Sequence, residues 1–599
     1  MNNTLKLLVA LIAMALSITT SFAQQSVTGL VTDVNGDPLP GVVVMIKGTN
    51  TGTTTDDGGL YSISAQPNQT LVFTSLGMET MEYRVGNRTK LDVELREDTT
   101  LLDEVVVVGY GTQKKIHVTG SVSAVSGTEL KKATATNVSQ QLVGKLPGII
   151  TQQSLGQPGS DQVSILVRGY SSYNDSGTVL VLVDGVERDM NLVNPADIES
   201  ITVLKDASAT AVYGMKAANG VILVTTKRGD EGTATVSYTG RLITNHATAL
   251  PQMMTGDQYM KYYNLGYQLD QWVTGVALDD TVPYFTDAEI AATTNGDTSD
   301  GIENTNWMEP LLRTTLTHQH NVSVSGGSKK VNYFVSGGFQ DQRGFLEGHY
   351  NKRTNVRSNI DVKPNKDLKI SLNLGVMYQE YNQPGNLSYA NATTGGTIPF
   401  CLMFALPFVP KTYDVDPTSP YYGMATSPMR TAGAFVANAE YASQHSGYSY
   451  SQTAKIETSA RVEYSIPFLQ GLKLALQYSY DWRDLDSKTY AYGYQLMAWN
   501  FADRTYELKE CSHALAEGNL YMGDQKYTQA ILRPEISYNR KFGKHEVSGL
   551  FLYEQNSGFS KSFSTSAQNF ALLDVDELPF ADAKTAKNSS GREYTGYSS

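Results

Sequence analysis

The stretch LKISLNLGVMYQ, residues 368–379, decides the fold. Leu368, Ile370, Leu372, Leu374, Val376 and Tyr378 share one parity while Lys369, Ser371, Asn373 and Gln379 share the other. That two-residue period belongs to a strand with one apolar and one polar face. The same alternation recurs further along the chain. Ala454, Ile456, Ala460, Val462, Tyr464 and Ile466 oppose Lys455, Glu457, Arg461 and Glu463. Leu472, Leu474, Leu476, Tyr478, Tyr480 and Trp482 oppose Lys473, Gln477, Ser479 and Asp481. Runs of about ten residues or more exceed an ordinary soluble strand and suit a tilted membrane strand. Tight turns at 326–330, 363–367, 467–471 and 540–544 alternate with connections of tens of residues. Short turns on one rim and long loops on the other are the habit of outer-membrane barrels. The competing reading is a large soluble β-protein with half-buried sheets.

About nine spanning strands are expected, at roughly 233–243, 314–325, 331–341, 352–363, 367–380, 452–466, 471–484, 528–540 and 545–556. Residues 592–599 open a tenth. Composition agrees with a turn-rich β-protein, with 52 glycines and 36 tyrosines but only 41% hydrophobic residues. Beyond residue 25 no window of about eighteen uninterrupted apolar residues exists, so entry into a bilayer has to use strands.

At the other end, Lys6 precedes the apolar run 7–16 and the small-residue exit Ser21-Phe22-Ala23, the pattern of a cleaved secretory signal covering residues 1–23. Two cysteines, Cys401 and Cys511, allow at most one disulfide in an exported chain. A net charge of −12 gives no footprint for nucleic acid.

Between these ends lie two smaller modules. Residues 26–96 carry short strands at 42–46, 59–63 and 70–73 between turn clusters such as Asn35-Gly36-Asp37-Pro38, which fits a small β-sandwich. Residues 116–229 switch to an α/β pattern. Asn137 caps a helix whose apolar face is Val138, Leu142 and Leu146 and which Pro147 stops. Strands follow at 178–183, 200–204 and 221–226, with a helix start at Asn194-Pro195 and a short helix capped by Asp206 and ended at Gly214. Joining the modules is LDEVVVVGYG, residues 102–111, an acidic pair and four valines. It is strand material without an evident sheet: the last strand of the sandwich, the first of the α/β unit, or a segment held out to a partner.

Family resemblance sharpens these readings. Residues 27–63, VTGLVTDVNGDPLPGVVVMIKGTNTGTTTDDGGLYSI, resemble the carboxypeptidase-regulatory-like domain, which is non-catalytic where it occurs. SILVRGYSS, TVLVLVDGVERD and ESITVLKDASATAVYGMKAANGVILVTTKRG resemble the plug of TonB-dependent receptors, specifically the SusC/RagA branch. The resemblance implies a mainly β chain: signal peptide 1–23, sandwich 26–96, a TonB-box-like segment and linker 101–115, plug 116–229, and part of a transmembrane β-barrel at 230–599. It also implies that TonB, anchored in the inner membrane, docks on Asp103, Glu104, Val105, Val106, Val107 and Val108. Its plug-motif residues here are Arg168, Gly169, Asp184, Gly185, Lys205, Asp206, Tyr213, Gly214 and Gly220. Arg168, Asp184, Lys205 and Asp206 are either ionic contacts to the barrel wall that break on opening or plain surface charges. The four glycines suit turns and helix ends that need positive φ.

The implied function is outer-membrane import of oligosaccharides or peptides, energised by TonB, with a SusD-like surface lipoprotein as lid and dimers of such pairs. Barrels of this kind have about 22 strands, so nine or ten imply an N-terminal fragment that does not transport alone. A periplasmic TonB-interacting signalling module and a surface adhesin are the alternatives. No enzymatic role and no cofactor are expected, because no zinc motif, nucleophile elbow, P-loop or complete G-x-G-x-x-G occurs. His318 and His320 share a strand face, but no third metal ligand accompanies them in the sequence. Asp33-Val34-Asn35-Gly36 reads as a hairpin turn rather than a calcium loop, since the later glutamate is missing.

Overall fold

The computed structural model describes residues 25–96, 105–108, 111–114, 121–153, 156–169, 179–296, 301–384, 405–428, 438–510, 518–572 and 575–598, except single positions 35, 50, 76, 77, 79 and 544. The signal segment, Asp103, Glu104, Cys401 and Cys511 lie outside them. The chain forms two compact units, Met1–Ser121 and Val122–Ser599.

In the first unit, β1 (Gln25–Thr32), β2 (Val43–Ile46), β3 (Gly52–Thr54), β4 (Leu60–Ala65), β5 (Thr70–Thr74), β6 (Met81–Arg84) and β7 (Val93–Glu94) build two sheets, ordered β4-β1-β7 and β3-β2-β5-β6. Strict alternation makes them a sandwich: Tyr61, Ile63 and Ala65 point inward from β4 between outward Leu60, Ser62 and Ser64. Val27, Val31, Val44, Leu71 and Phe73 complete the core. Asp33 accepts the Asp37 amide at 2.8 Å, so the calcium-like sequence is a turn. The valine run also finds a neighbour. β8 (Val105–Val108) pairs antiparallel with β9 (Gly111–Lys114), in register from Val105↔Lys114 to Val108↔Gly111. It belongs to a two-stranded hairpin of its own, not to the sandwich sheets and not to the sheet that follows.

The second unit opens with a plug. β10 (Val122–Ser126), β11 (Ile149–Gln153), β12 (Val163–Val167), β13 (Leu180–Val183), β14 (Val186–Glu187), β15 (Ile198–Leu204) and β16 (Val221–Thr226) form a five-stranded sheet, β10-β15-β16-β13-β14, and the hairpin β11-β12. The helix capped by Asn137 is a single turn, Val138–Gln141, rather than one running to Pro147, yet Val138, Leu142 and Leu146 all bury in one cluster with Ile198, Ile201, Ile222 and Val224. Asp206 accepts from the Ala209 amide as a helix cap, and the chain kinks at Gly214, φ 62°.

The wall is one antiparallel sheet. Its strands are β17 (Gly232–Asn245), β18 (Thr315–Gly327), β19 (Val331–Arg343), β20 (Tyr350–Val362) and β21 (Leu368–Pro384), then, after the short β22 (Thr426–Ser427), β23 (Gly447–Ser465) and β24 (Leu472–Ala491). Past β25 (Gln495–Asn500), which pairs with β22, and β26 (Thr505–Glu510), which pairs with β25, come β27 (Asn519–Phe542), β28 (His545–Leu552), β29 (Gln555–Gln568) and β30 (Lys587–Ser598). Eight of the expected strands appear at their places, six within a few residues, while β24 runs on to Ala491 and β27 starts already at Asn519. The ninth differs: β28 and β29 both pair with β27, below and above a break at Tyr553–Glu554. The break faces Pro534, which has no N–H to donate, so the ladder is interrupted over two residues and resumes in the same register. The last strand starts at Lys587, not Arg592.

The outer face of the sheet shows Val356, Leu372, Leu374, Val376, Ile456, Val462, Leu474 and Leu476 exposed, an apolar band running across neighbouring strands as on a lipid-facing wall. His318 and His320 fall on this same parity beside exposed Leu316 and Val322, and His320 bonds Tyr238 at 2.8 Å. The long connections fold on themselves. Helices Gly256–Val273 and Asp287–Asn295, each started by a capping box, pack Met260 and Ile290, with Phe285 just before the second helix, in one cluster with Phe408 and with Trp499 of β25. The sequence pattern predicts long loops here, and the structure has helices instead.

Candidate functional site

The site is where the plug meets the polar face of the wall. Register aligns Ser336 of β19 with Arg357, Arg357 with Gly375, Gly375 with Glu457, Glu457 with Asp481 and Asp481 with Gln529. Six strands therefore present one row of inward positions. Gly375 leaves a gap in that row: a Cβ there would sit 3.4 Å from both the Arg357 guanidinium and the Glu457 carboxylate. Arg357 reaches across the gap to within 3.9 Å of Glu457.

Into this row the plug inserts Arg188, just past β14. Its Nε donates to one Asp481 oxygen at 2.8 Å and its Nη2 to the other at 2.6 Å, a bidentate pair with side-chain exposures of 2% and 8%. Nη2 also donates to the Thr458 carbonyl at 3.1 Å, and Glu457 lies 3.9 Å away. Arg357 answers in reverse, facing the plug's Asp184 at 3.7 Å and Asp197 at 4.0 Å. Lys455 closes on Glu457 at 2.6 Å. Burial pushes the Asp197 carboxyl above the usual range, against the opposing hydroxyl of Ser336 and the charge of Arg357.

Polar contacts continue around the plug. Arg533 of β27 pairs with Glu554 at the strand break and donates to the Gly185 carbonyl at 2.9 Å. Arg228, where the plug ends, holds Asp361 at 2.7 Å and Asn373 at 2.9 Å. Arg353 and Asn355 of β20 donate to the carbonyls of Asn191 and Leu192, and Asn359 bonds Thr226. Chemically the arrangement is a polar seat that holds a folded domain without merging its apolar core with the wall.

Of the motif residues expected from sequence, Asp184 reaches this seat while also accepting from the Thr226 amide and hydroxyl. Lys205 donates to Ser123 and to the Pro147 carbonyl, and Asp206 caps its helix, so both make these bonds inside the plug. Arg168 is exposed with φ 60° and Tyr213 is half-buried. Gly169, Gly185, Gly214 and Gly220 all have positive φ. Arg188 sits in the quoted run TVLVLVDGVERD but was not singled out. Its partner is 293 residues away. The signal that would have found it is the inward charge at Glu457 and Asp481 on neighbouring strands.

Residues 114–221 match the TonB-dependent Receptor Plug Domain family and residues 27–107 the CarboxypepD_reg-like domain. The chain is 36% identical over 430 residues to the TonB-dependent receptor SusC of Bacteroides thetaiotaomicron, covering 70% of this chain and 38% of that relative. It is 35% identical over 379 residues to the TonB-dependent receptor P26 of Formosa agariphila, covering 62% and 36%. The chain thus spans little more than a third of the length of these curated relatives. Its fold is similar to the structure of the RagAB peptide importer in the open-open state, with TM-score 0.63 at 22% identity over 83% of this chain and 53% of that one. Sandwich, plug and strand-built wall in this order, together with these likenesses, place the chain in the SusC/RagA family of TonB-dependent receptors.

Proposed function

We propose that the chain serves nutrient import across the outer membrane, as a receptor whose plug is unseated by a pull from TonB. The observation that carries this is the buried pairing of Arg188 with Asp481, a polar lock between a self-contained plug and a membrane-type wall. The apolar outer band supports lipid contact, and the exported start supports an outer-membrane location. Energy arrives mechanically, so no nucleotide or metal is required and no catalytic step is assigned. Oligosaccharides or peptides are the substrates this reading favours, with a SusD-like lipoprotein over the long-loop end and paired assemblies as further partners.

On this reading residues 103–108 are the docking strand, with β8 adding to an edge of TonB through main-chain hydrogen bonds. A peptide of residues 101–115 is then expected to capture the periplasmic domain of TonB. Val106→Pro, which deletes one donor and bars continuous strand pairing, abolishes capture. Equal capture by both peptides, or by neither, sinks the docking assignment.

A further inference from the structure

Four carboxyl groups meet in the plug seat, those of Asp184, Asp197, Glu457 and Asp481, against the three cations Arg188, Arg357 and Lys455. Three of the four are well supplied. Asp481 holds Arg188 through both oxygens, Glu457 has Lys455 at 2.6 Å, and Asp184 accepts from the Thr226 amide and hydroxyl. Asp197 is the exception. It is 1% exposed and its Oδ1 has no hydrogen-bond partner. Its ion-pair contact is Arg357 at 4.0 Å, a guanidinium shared with Asp184 at 3.7 Å and Glu457 at 3.9 Å.

Among the described residues, the other groups around Asp197 do not supply the missing charge. The Ser336 hydroxyl faces it from β19, and β21 brings Gly375 and Met377. Lys455 on β23 is held by Glu457, and Arg188 by Asp481. On the plug side Lys227 turns its ammonium to the Ala196 carbonyl at 2.6 Å, near the carboxylate of Glu199, and burial with Lys131 beside it lowers it to about 8. Neither lysine makes an ion pair with Asp197; both act on it from further away. The void bounded by Asp197, Arg357, Gly375 and Glu457 is about 10 Å³, the smallest space that holds a single water, so seating strips this carboxyl of solvent. A carboxylate so placed is costly, whereas a neutral acid leaves only a carbonyl oxygen unpaired and has a hydroxyl to donate to Ser336.

We infer that Asp197 is a proton-binding site of the seat: the seated plug carries it as a carboxylic acid, and unseating passes its proton to the water that enters, leaving a hydrated carboxylate that takes a proton back on reseating. The inference rests on the plug–wall seat and gives the proposed unseating step a pH dependence. An acid whose pKa is raised on seating stabilises the seat fully below the ordinary carboxylate range, and that contribution is lost as pH rises through the raised value. Hydrogen exchange of the β13–β14 amides, corrected for its intrinsic pH dependence, is compared across pH in the full chain and in Asp197→Asn, the neutral isostere. The native seat is expected to loosen relative to the variant as pH rises, by up to about tenfold per pH unit, the limit for one proton. The comparison cancels the titration of Lys227 and His349, which both proteins share. At about pH 5, where ordinary aspartates are ionised, the infrared difference between the two proteins is expected to show a carboxylic-acid carbonyl stretch. Parallel pH profiles, an infrared difference without that band, or loss of plug protection in Asp197→Asn at the same pH overturns the inference, the last because a neutral isostere has to seat as the acid does. None of these readouts involves TonB, so failed capture by the 101–115 peptide removes the docking strand alone, and parallel profiles with capture intact remove the proton site alone.

Discussion

Arg188→Ala tests the polar seat directly. With the guanidinium gone, Asp481 and its register neighbour Glu457 stand side by side at 5% and 7% exposure, and only Lys455 and Arg357 are left to compensate. Exposed ion pairs are worth little, but breaking a buried one by removing a single partner costs about 3–5 kcal/mol. Side-chain exposures of 2% and 8% put this pair in the second class. Since 1.4 kcal/mol is about tenfold, hydrogen exchange of the β13–β14 amides should accelerate about 150- to 5,000-fold if they exchange by plug unseating. Arg188→Met with Asp481→Leu removes both charges and should recover most of the loss, because apolar replacement of a buried pair is often neutral. Mass-spectrometric exchange on the full chain reads all three proteins. An acceleration below about threefold in Arg188→Ala, or a double variant as fast as the sum of its singles, would refute a lock at this pair.

Gly375→Leu fills the gap between Arg357 and Glu457 and should loosen β21–β23 exchange by about 1–3 kcal/mol, as overpacking does, while Gly375→Ala, at ordinary contact distance, costs less. His349 has a folded pKa of about 4, below the unfolded 6.5. Its contribution is therefore present above 6.5 and lost as pH falls toward 4, at up to about 1.4 kcal/mol per pH unit, and His349→Gln should flatten the acid limb of thermal unfolding across that window. In the sandwich, the Tyr61 hydroxyl donates to the buried Leu91 carbonyl at 2.8 Å, so Tyr61→Phe should cost about 1–3 kcal/mol in denaturant unfolding of that unit.

Two-residue alternation made the wall legible because each strand has one face toward apolar surroundings and one toward the plug, and that constraint acts within a dozen neighbouring residues. The plug was partly legible for the same local reason: Val138, Leu142 and Leu146 mark the buried side of their segment, though only its first turn is helical, and β16 starts with its apolar run. The break at Tyr553–Glu554 was not, since its cause, Pro534, lies on the partner strand. Nor was the ionic row. Arg357, Gly375, Glu457 and Asp481 become neighbours only once the register of four strands is fixed, and sequence gives strands long before it gives register. The helix Gly256–Val273 was missed because its capping box, Thr255 with Gln258, sits in a polar stretch without a clean apolar stripe.

On the proposed import reading, the division of labour between apolar and polar contacts lets a plug be both firmly seated and removable. The apolar cluster that stabilises it draws only on residues between Val125 and Val224, all its own, with no wall side chain among them. Among the described residues its contacts to the wall include guanidinium–carboxylate pairs, amides, backbone carbonyls and Lys216 over the Tyr597 ring. Unseating therefore exposes little hydrophobic area, which would be lost irrecoverably at about 25 cal/mol per Å², and instead exchanges buried ion pairs for hydrated ions. That exchange is costly while the first pair breaks and grows cheaper as water enters, because each charge that leaves the row regains its solvation. A pull applied at the N-terminal side of the plug thus meets a brittle interface around an intact domain. On the proposed import reading, such a pull is expected to break the seat before the plug's apolar core.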